Sequence, residues 1–177
     1  MFNSYYPFHQ IRLVKPLANK YLKEIITYNF RSEKNYYLVE VERYALDIYV
    51  VKFYLKKHKQ SPYKYNILTN EHKGSRVINT CVQIMLSIYH KNELPSFGFV
   101  GANTINKESG FEEPKAQTKR FIIYRRVMYA LLGTKTFTHY YDALNSTYLM
   151  VNNKSESVHQ KFIRAKDMFE ELFPIIS

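Results

Sequence analysis

The sequence has one cysteine, no tryptophan and only five glycines in 177 residues. A lone cysteine excludes an internal disulfide and any thiolate-rich zinc site. Cys81 lies in the run Val77-Ile78-Asn79-Thr80-Cys81-Val82, where a free thiol reads as a small buried hydrophobe. The glycines never assemble into a P-loop, a GxGxxG turn or a GxSxG nucleophile elbow, so the sequence gives no support for a nucleotide fingerprint or a triad hydrolase. The six histidines (His9, His58, His72, His90, His139, His159) show no HExxH or i, i+4 pairing, which leaves no metal spacing. No apolar run approaches the ~20 residues that a membrane helix needs. Met1-Phe2-Asn3-Ser4-Tyr5 has no basic n-region followed by an apolar core, so the expected location is the cytoplasm, away from membranes.

Acidic residues are also scarce: 15 against 26 lysines and arginines, a net charge of +11. A field of that sign draws polyanions such as nucleic acid or a phosphorylated cofactor. It is concentrated at Lys56-Lys57-His58-Lys59 and at Lys119-Arg120 with Arg125-Arg126. Hydrophobic residues make up 46% and charged residues 23% of the chain, a globular composition. The length suits one domain over residues 1–177, and no repeat, linker or low-complexity tract divides it.

The expected fold class is α/β (α+β), a mixed, mostly antiparallel sheet flanked by helices in the order β-β-β-α-β-α-β-β-α. Residues 1–17 read as irregular, with a short helix at Leu17–Ile26. Tyr36–Glu42 alternates, with Tyr37, Val39 and Val41 on one face and Glu40 and Glu42 on the other. Ile48–Lys57 alternates too, and the short Arg43–Asp47 connection predicts an antiparallel hairpin with Glu40 across from Lys52. A third strand is expected at Tyr63–Thr69. Val77, Cys81, Ile84 or Met85, and Ile88 recur at helical spacing to about Asn92, with Ser75 or Asn70 as cap. A strand at Ser96–Ala102, a helix at Lys115–Leu132 ended by Gly133, and strands at Phe137–Tyr141 and Thr147–Val151 follow. The last helix runs from Ser157, whose Ser-Val-His-Gln fits a capping box, to Phe173.

Three sets of residues are chemical candidates. Lys73, Gly74, Ser75 and Arg76 stand where a helix begins, so free backbone N–H groups, the helix dipole and two cations combine as a phosphate seat. Lys119 and Arg120 form a second such start. Arg120 and Tyr124, four apart, share a helix face, so the phenol can donate a proton beside an anion-binding guanidinium. Glu40 and Glu42 are candidate bases if their pKa values are raised; the alternative is simple pairing with Lys52 or Lys56 on a solvated face.

From about Tyr36 to Val151, the order of elements resembles the core of the GNAT family of N-acyltransferases. Tyr63–Thr69, the Lys73-Gly74-Ser75 turn and the helix after it fall at that family's acyl-CoA pyrophosphate position. Ser96–Ala102 and the Arg120–Met128 helix match the next two elements. Tyr124 falls where the family often carries a tyrosine that contacts the CoA sulfur and acts as general acid. Gly74 stands alone where the family has a glycine-rich loop, and Val127-Met128 stands where it has Gly-Phe. The Arg120–Tyr124 helix is also similar to those of small bacterial proteins of unknown function. The resemblance implies an acyltransferase that takes acetyl-CoA at Lys73–Arg76, with Tyr124 as acid and Glu40 or Glu42 as base. The alternative from charge alone is a nucleic-acid binder, enzymatic like an RNase or not, such as a small toxin or defence component, in which Tyr54 or Tyr63 stacks on bases. Oligomeric state is open.

Overall fold

A computed structural model describes residues 4–67, 69 and 71–174. It has the expected class: one seven-stranded, mostly antiparallel sheet with three helices. The strands are β1 (Phe8–Val14), β2 (Leu22–Arg31), β3 (Tyr36–Tyr44), β4 (Ile48–Leu55), β5 (Ser96–Val100), β8 (Phe137–Asp142) and β9 (Thr147–Asn152), in the order β1-β2-β3-β4-β5-β9-β8. A separate two-residue hairpin joins β6 (Ile105–Asn106) and β7 (Phe111–Glu112). The helices are α1 (Gly74–Lys91), α2 (Lys119–Leu132) and α3 (Val158–Leu172).

Alternation sorts the side chains onto two faces. Val39 and Val41 of β3, Tyr49, Val51 and Phe53 of β4, Phe97 and Phe99 of β5 and Met150 of β9 form the larger core with α1 and α2. The residues between them, including Ile48, Val50 and Leu149, face α3 through Ala165, Met168 and Phe169. The chain is thus three layers deep, with α1 and α2 on one side of the sheet and α3 on the other.

The β3–β4 hairpin forms in the expected register, with Glu40 opposite Lys52 and Val41 opposite Val51. The N-terminal expectations fail. Residues 8–14 are a strand, paired with β2 through a bulge between Gln10 and Arg12. Leu17–Ile26 is not a helix: Leu17 is 95% exposed, Ala18 turns with φ 57, and Asn19 accepts from the N–H groups of Tyr21 and Leu22. Ile26, Tyr28 and Phe30 then alternate into the core, and β-branched and aromatic residues fit a pleated surface better than a short helix.

Tyr63–Thr69 is not a strand either. Its turns close through Lys64 N–H to the Ser61 carbonyl and Asn66 N–H to the Tyr63 carbonyl, and a single bridge joins Ile67 to Ile105; Leu68 lies outside the described residues. Arg120 takes up the carbonyls of Tyr65 and Ile67 that a strand neighbour would have used. β4 therefore leads to α1 through an 18-residue crossover, residues 56–73.

Helix α1 starts without a side-chain cap; Ser75 lies inside it and Asn70 is outside the described residues. Helix α2 starts at Lys119 rather than Lys115, because Thr118 accepts from Phe121 N–H at 3.2 Å. Thr118 also donates to the Gly101 carbonyl at 2.6 Å. There the end of β5 touches α2 so closely that a Cβ on Gly101 would lie 2.6 Å from the backbone nitrogen of Phe121. Ser157 caps α3 by accepting from Gln160 N–H.

Candidate functional site

Strands β4 and β5 form the one parallel ladder among the described strands. They pair only from Ile48 with Ser96 to Val51 with Phe99. Beyond Val51, β4 runs on to Leu55 without β5 beside it, and a parallel pair that stops early leaves backbone groups and space between the strands. A cavity of about 700 Å³ occupies that space and continues under α3. Phe53, Phe99, Arg120 and Tyr124 line its splayed end; Gly98, Leu149, Phe162 and Phe169 line the part beneath the helix. Its volume is that of a small-molecule pocket.

The structure brings Arg120 and Tyr124 together in this cavity, as their spacing implies. Tyr124 is 3% exposed, its ring 5.1 Å from that of Phe99. Among the described residues its hydroxyl has no hydrogen-bond partner, and its oxygen is not among the buried unsatisfied atoms but opens on the cavity. Burial, with the nearby Cys81 thiol, pushes the phenol well above its ordinary pKa, and Arg120 only partly opposes that. Tyr124 is thus a neutral O–H that can donate a hydrogen bond and is a weaker acid than a free phenol. The Arg120 guanidinium spans the carbonyls of Tyr65 and Ile67 and lies 5.2 Å from the Phe53 ring. Burial draws its pKa below the ordinary arginine value, and no carboxylate of the described residues pairs with it.

The other candidates do not line the cavity. Glu40 accepts from the hydroxyls of Tyr54, at 2.9 Å, and Tyr65, and lies 3.5 Å from Lys64 Nζ. Burial alone would raise its pKa; the two hydroxyls and the lysine outweigh that and hold it below the ordinary value, the reverse of what a base at neutral pH needs. Glu42 pairs with Lys52 at 2.6 Å and accepts from Tyr44 at 2.6 Å. Both carboxylates stand behind Tyr65, Tyr44 and Lys52, which do reach the cavity.

At the start of α1, Lys73 and Arg76 both contact Glu33, at 3.0 and 3.2 Å. Tyr6 donates to the same carboxylate at 2.5 Å, and Arg76 lies over the Tyr6 ring at 4.0 Å. Gly74 has open space around it. Nearby Glu71 accepts from Ser32, Asn35 and Tyr37. At the start of α2, Glu113 accepts from the N–H groups of Lys119 and Thr104, each at 2.8 Å. Each basic helix start thus carries a carboxylate of the chain itself, as the positive end of a helix favours.

Sequence reasoning missed Lys52 as a cavity residue, together with Tyr65, Gly98 and the α3 residues. Gly98, between Phe97 and Phe99 in an apolar strand, carried a usable signal: a glycine inside a strand often marks a close approach or a ligand. Tyr54 is buried at 2% exposure on Glu40 and has no face for a base; Tyr63 is exposed, with Lys107 over its ring at 4.5 Å. Cys81 is fully buried and its thiol pKa is raised by that burial. The described residues hold no cluster of metal-ligand type and no helix long and apolar enough to cross a membrane.

Compared with known proteins, the chain matches no family model, no curated protein and no solved structure.

Proposed function

We propose that the chain is an acyltransferase-type domain that receives an acyl thioester of coenzyme A between β4 and β5, with Tyr124 as proton donor. The observation that carries this reading is a neutral phenol whose oxygen faces, without a protein partner, a cavity opened by a parallel strand pair that stops at Val51 and Phe99. Further support comes from the order of elements: the helix after β5 carries the tyrosine, and two antiparallel strands follow it.

The cavity fits the thioester end of such a ligand. An acyl-CoA supplies an acyl carbon already activated by sulfur. Tyr124 holds a proton at its hydroxyl for the leaving sulfur, and Arg120 adds positive charge where the acyl oxygen gains negative charge. Glu40 and Glu42 take no part, since both are engaged elsewhere, so the acceptor loses its proton to water, and water returns one to the Tyr124 oxygen. The phosphate end has a candidate seat at Lys73, Gly74, Ser75 and Arg76, where it would replace Glu33 as the anion. Calorimetric titration with acetyl-CoA and CoA tests the reading: micromolar binding supports it, and no heat with either ligand at millimolar concentration rejects it.

A second reading has its own observation. On β2, β3 and the turn after β4, Arg31 and Lys56 lie 5.6 and 4.6 Å from the ring of Tyr36, and neither pairs with a carboxylate of the described residues. Cations around an aromatic ring suit a single-stranded nucleic acid. This reading requires oligonucleotide affinity that falls steeply with salt and drops on Lys56→Glu; affinity absent at low salt would dismiss it.

A further inference from the structure

The cavity is much larger than an acetyl group needs, and its polar groups are unevenly placed. Arg120 and Tyr124 are at the splayed end; Lys52 stands on the α3 face of β4, paired with Glu42 at 2.6 Å and 5.9 Å from the Phe173 ring. The floor beneath α3 is Val50, Gly98 and Leu149, and the roof is Phe162 and Phe169. Phe162 is held in place by Tyr140, whose ring stacks on it at 4.0 Å and 6°. The charges along this part are Lys166 with Glu170, paired at 3.7 Å, and Asp142. The lysine helps to keep the aspartate ionised, after the larger effect of a hydrogen bond from Asn145. Lys166 and Glu170 satisfy one another and Asp142 accepts from Leu144 and Asn145, whereas Arg120 has no carboxylate partner among the described residues.

A ligand complementary to this shape has an anionic or carbonyl head at Arg120 and Tyr124 and an apolar tail beneath α3. We propose that the groove under α3 holds a hydrocarbon acyl chain, so that the acyl group handled by this domain is fatty rather than acetyl. The proposal rests on the acyltransferase reading for its chemistry but on the groove alone for its binding site. A short acyl group would leave the aromatic roof and aliphatic floor facing water; each methylene drawn into them gains about fourfold in affinity by the usual transfer value.

Gly98 is the position that keeps the groove open. A Cβ there would meet Val50 Cγ2 at 3.5 Å and Leu149 Cδ1 at 3.9 Å, ordinary contact distances. Alanine is therefore compatible with the fold, and a longer side chain extends into the groove.

The test is calorimetry with sodium decanoate, which carries a carboxylate head and a tail but no CoA, followed by acetyl-, hexanoyl- and decanoyl-CoA. The proposal expects decanoate to bind the wild-type protein, affinity to rise about fifteenfold with each pair of methylenes added to the ester, and Gly98→Leu to weaken decanoate at least tenfold and decanoyl-CoA far more than acetyl-CoA. Gly98→Ala, which keeps the fold if leucine does not, should shift the preferred chain shorter. Decanoate that fails to bind, acyl-CoA affinity independent of chain length, or decanoate affinity equal in wild type and both Gly98 variants overturns the proposal. Decanoate binding that is lost in Gly98→Leu, with no binding of any CoA ester, keeps the groove and removes the acyltransferase reading. Acetyl-CoA binding without any effect of chain length does the opposite.

Discussion

The ring of Tyr124 lies 5.1 Å from that of Phe99, so one helix residue and one strand residue close the same cavity, and the phenol sits in a wall that has no partner for its oxygen. Tyr124→Phe keeps the ring and its packing. The hydroxyl makes no hydrogen bond among the described residues, so its removal should change the unfolding free energy by less than about 1 kcal/mol. Release of CoA in the presence of a panel of amines should nevertheless fall by about 10²–10⁴, the usual worth of a positioned proton donor. Unchanged turnover with unchanged stability would remove Tyr124 from the chemistry.

Arg120 should matter to the fold as well. Arg120→Met leaves the carbonyls of Tyr65 and Ile67 without their donor, and each orphaned acceptor costs about 1–3 kcal/mol when buried. The denaturation midpoint should fall, and hydrogen exchange should rise first around Tyr63–Asn66 rather than in β4. Exchange that rises uniformly across the sheet would show that Arg120 does not act through this segment.

Gly101→Ala places a methyl 2.6 Å from both the Cβ and the backbone nitrogen of Phe121 and 2.7 Å from Thr118 Oγ1. Two of these atoms belong to the start of α2 and cannot rotate away, so the variant should lose roughly 3 kcal/mol, the upper range for overpacking. A urea melt within 0.5 kcal/mol of wild type would contradict the close approach.

The Tyr6–Glu33 pair gives a pH dependence at both extremes. Hydrogen bonds from Tyr6, from its own backbone N–H and from Lys73 hold the Glu33 carboxyl down at about 2 against an ordinary 4.5. That contribution is complete above pH 4.5 and is lost as pH falls towards 2. Burial first, then the Glu33 bond, pushes the Tyr6 hydroxyl up to about 12 from 10.0. A raised phenol stabilises fully below pH 10 and loses its effect as pH rises through 12. Melting temperatures of wild type and Tyr6→Phe should therefore differ by a constant amount between pH 5 and 10 and converge towards pH 12. A difference that persists at pH 12 would rule out the pair as the cause.

The hairpin of β3 and β4 was readable because Tyr37, Val39 and Val41 alternate against Tyr49, Val51 and Phe53, and the connection left only one register. Helices α1 and α3 were readable from spacing and, for α3, from its serine cap. Strand β2 is hard to read locally because Leu17–Ile26 alone also fits a short helix, and the alternation that marks the strand, Ile26, Tyr28 and Phe30, lies mostly beyond it. The residues of Tyr63–Thr69 have strand composition, but their carbonyls go to Arg120, 53 and 55 positions away, which no local pattern reveals. The same holds for Glu40: its alternation placed it on the correct face, while the hydroxyls that lower its pKa come from Tyr54 and Tyr65. The spacing of Arg120 and Tyr124 put them on one helix face. The cavity they share also needs Lys52, Gly98 and Phe162, which meet only through sheet order.

The most direct measurement is a ¹⁵N-resolved NMR titration with acetyl-CoA. The account predicts that the largest amide shifts fall at Val51, Gly98, Phe99 and Tyr124, with a second group at Lys73–Arg76 as Glu33 is displaced. Shifts confined to Tyr36 and Lys56–Lys59, or none at saturating ligand, would contradict it.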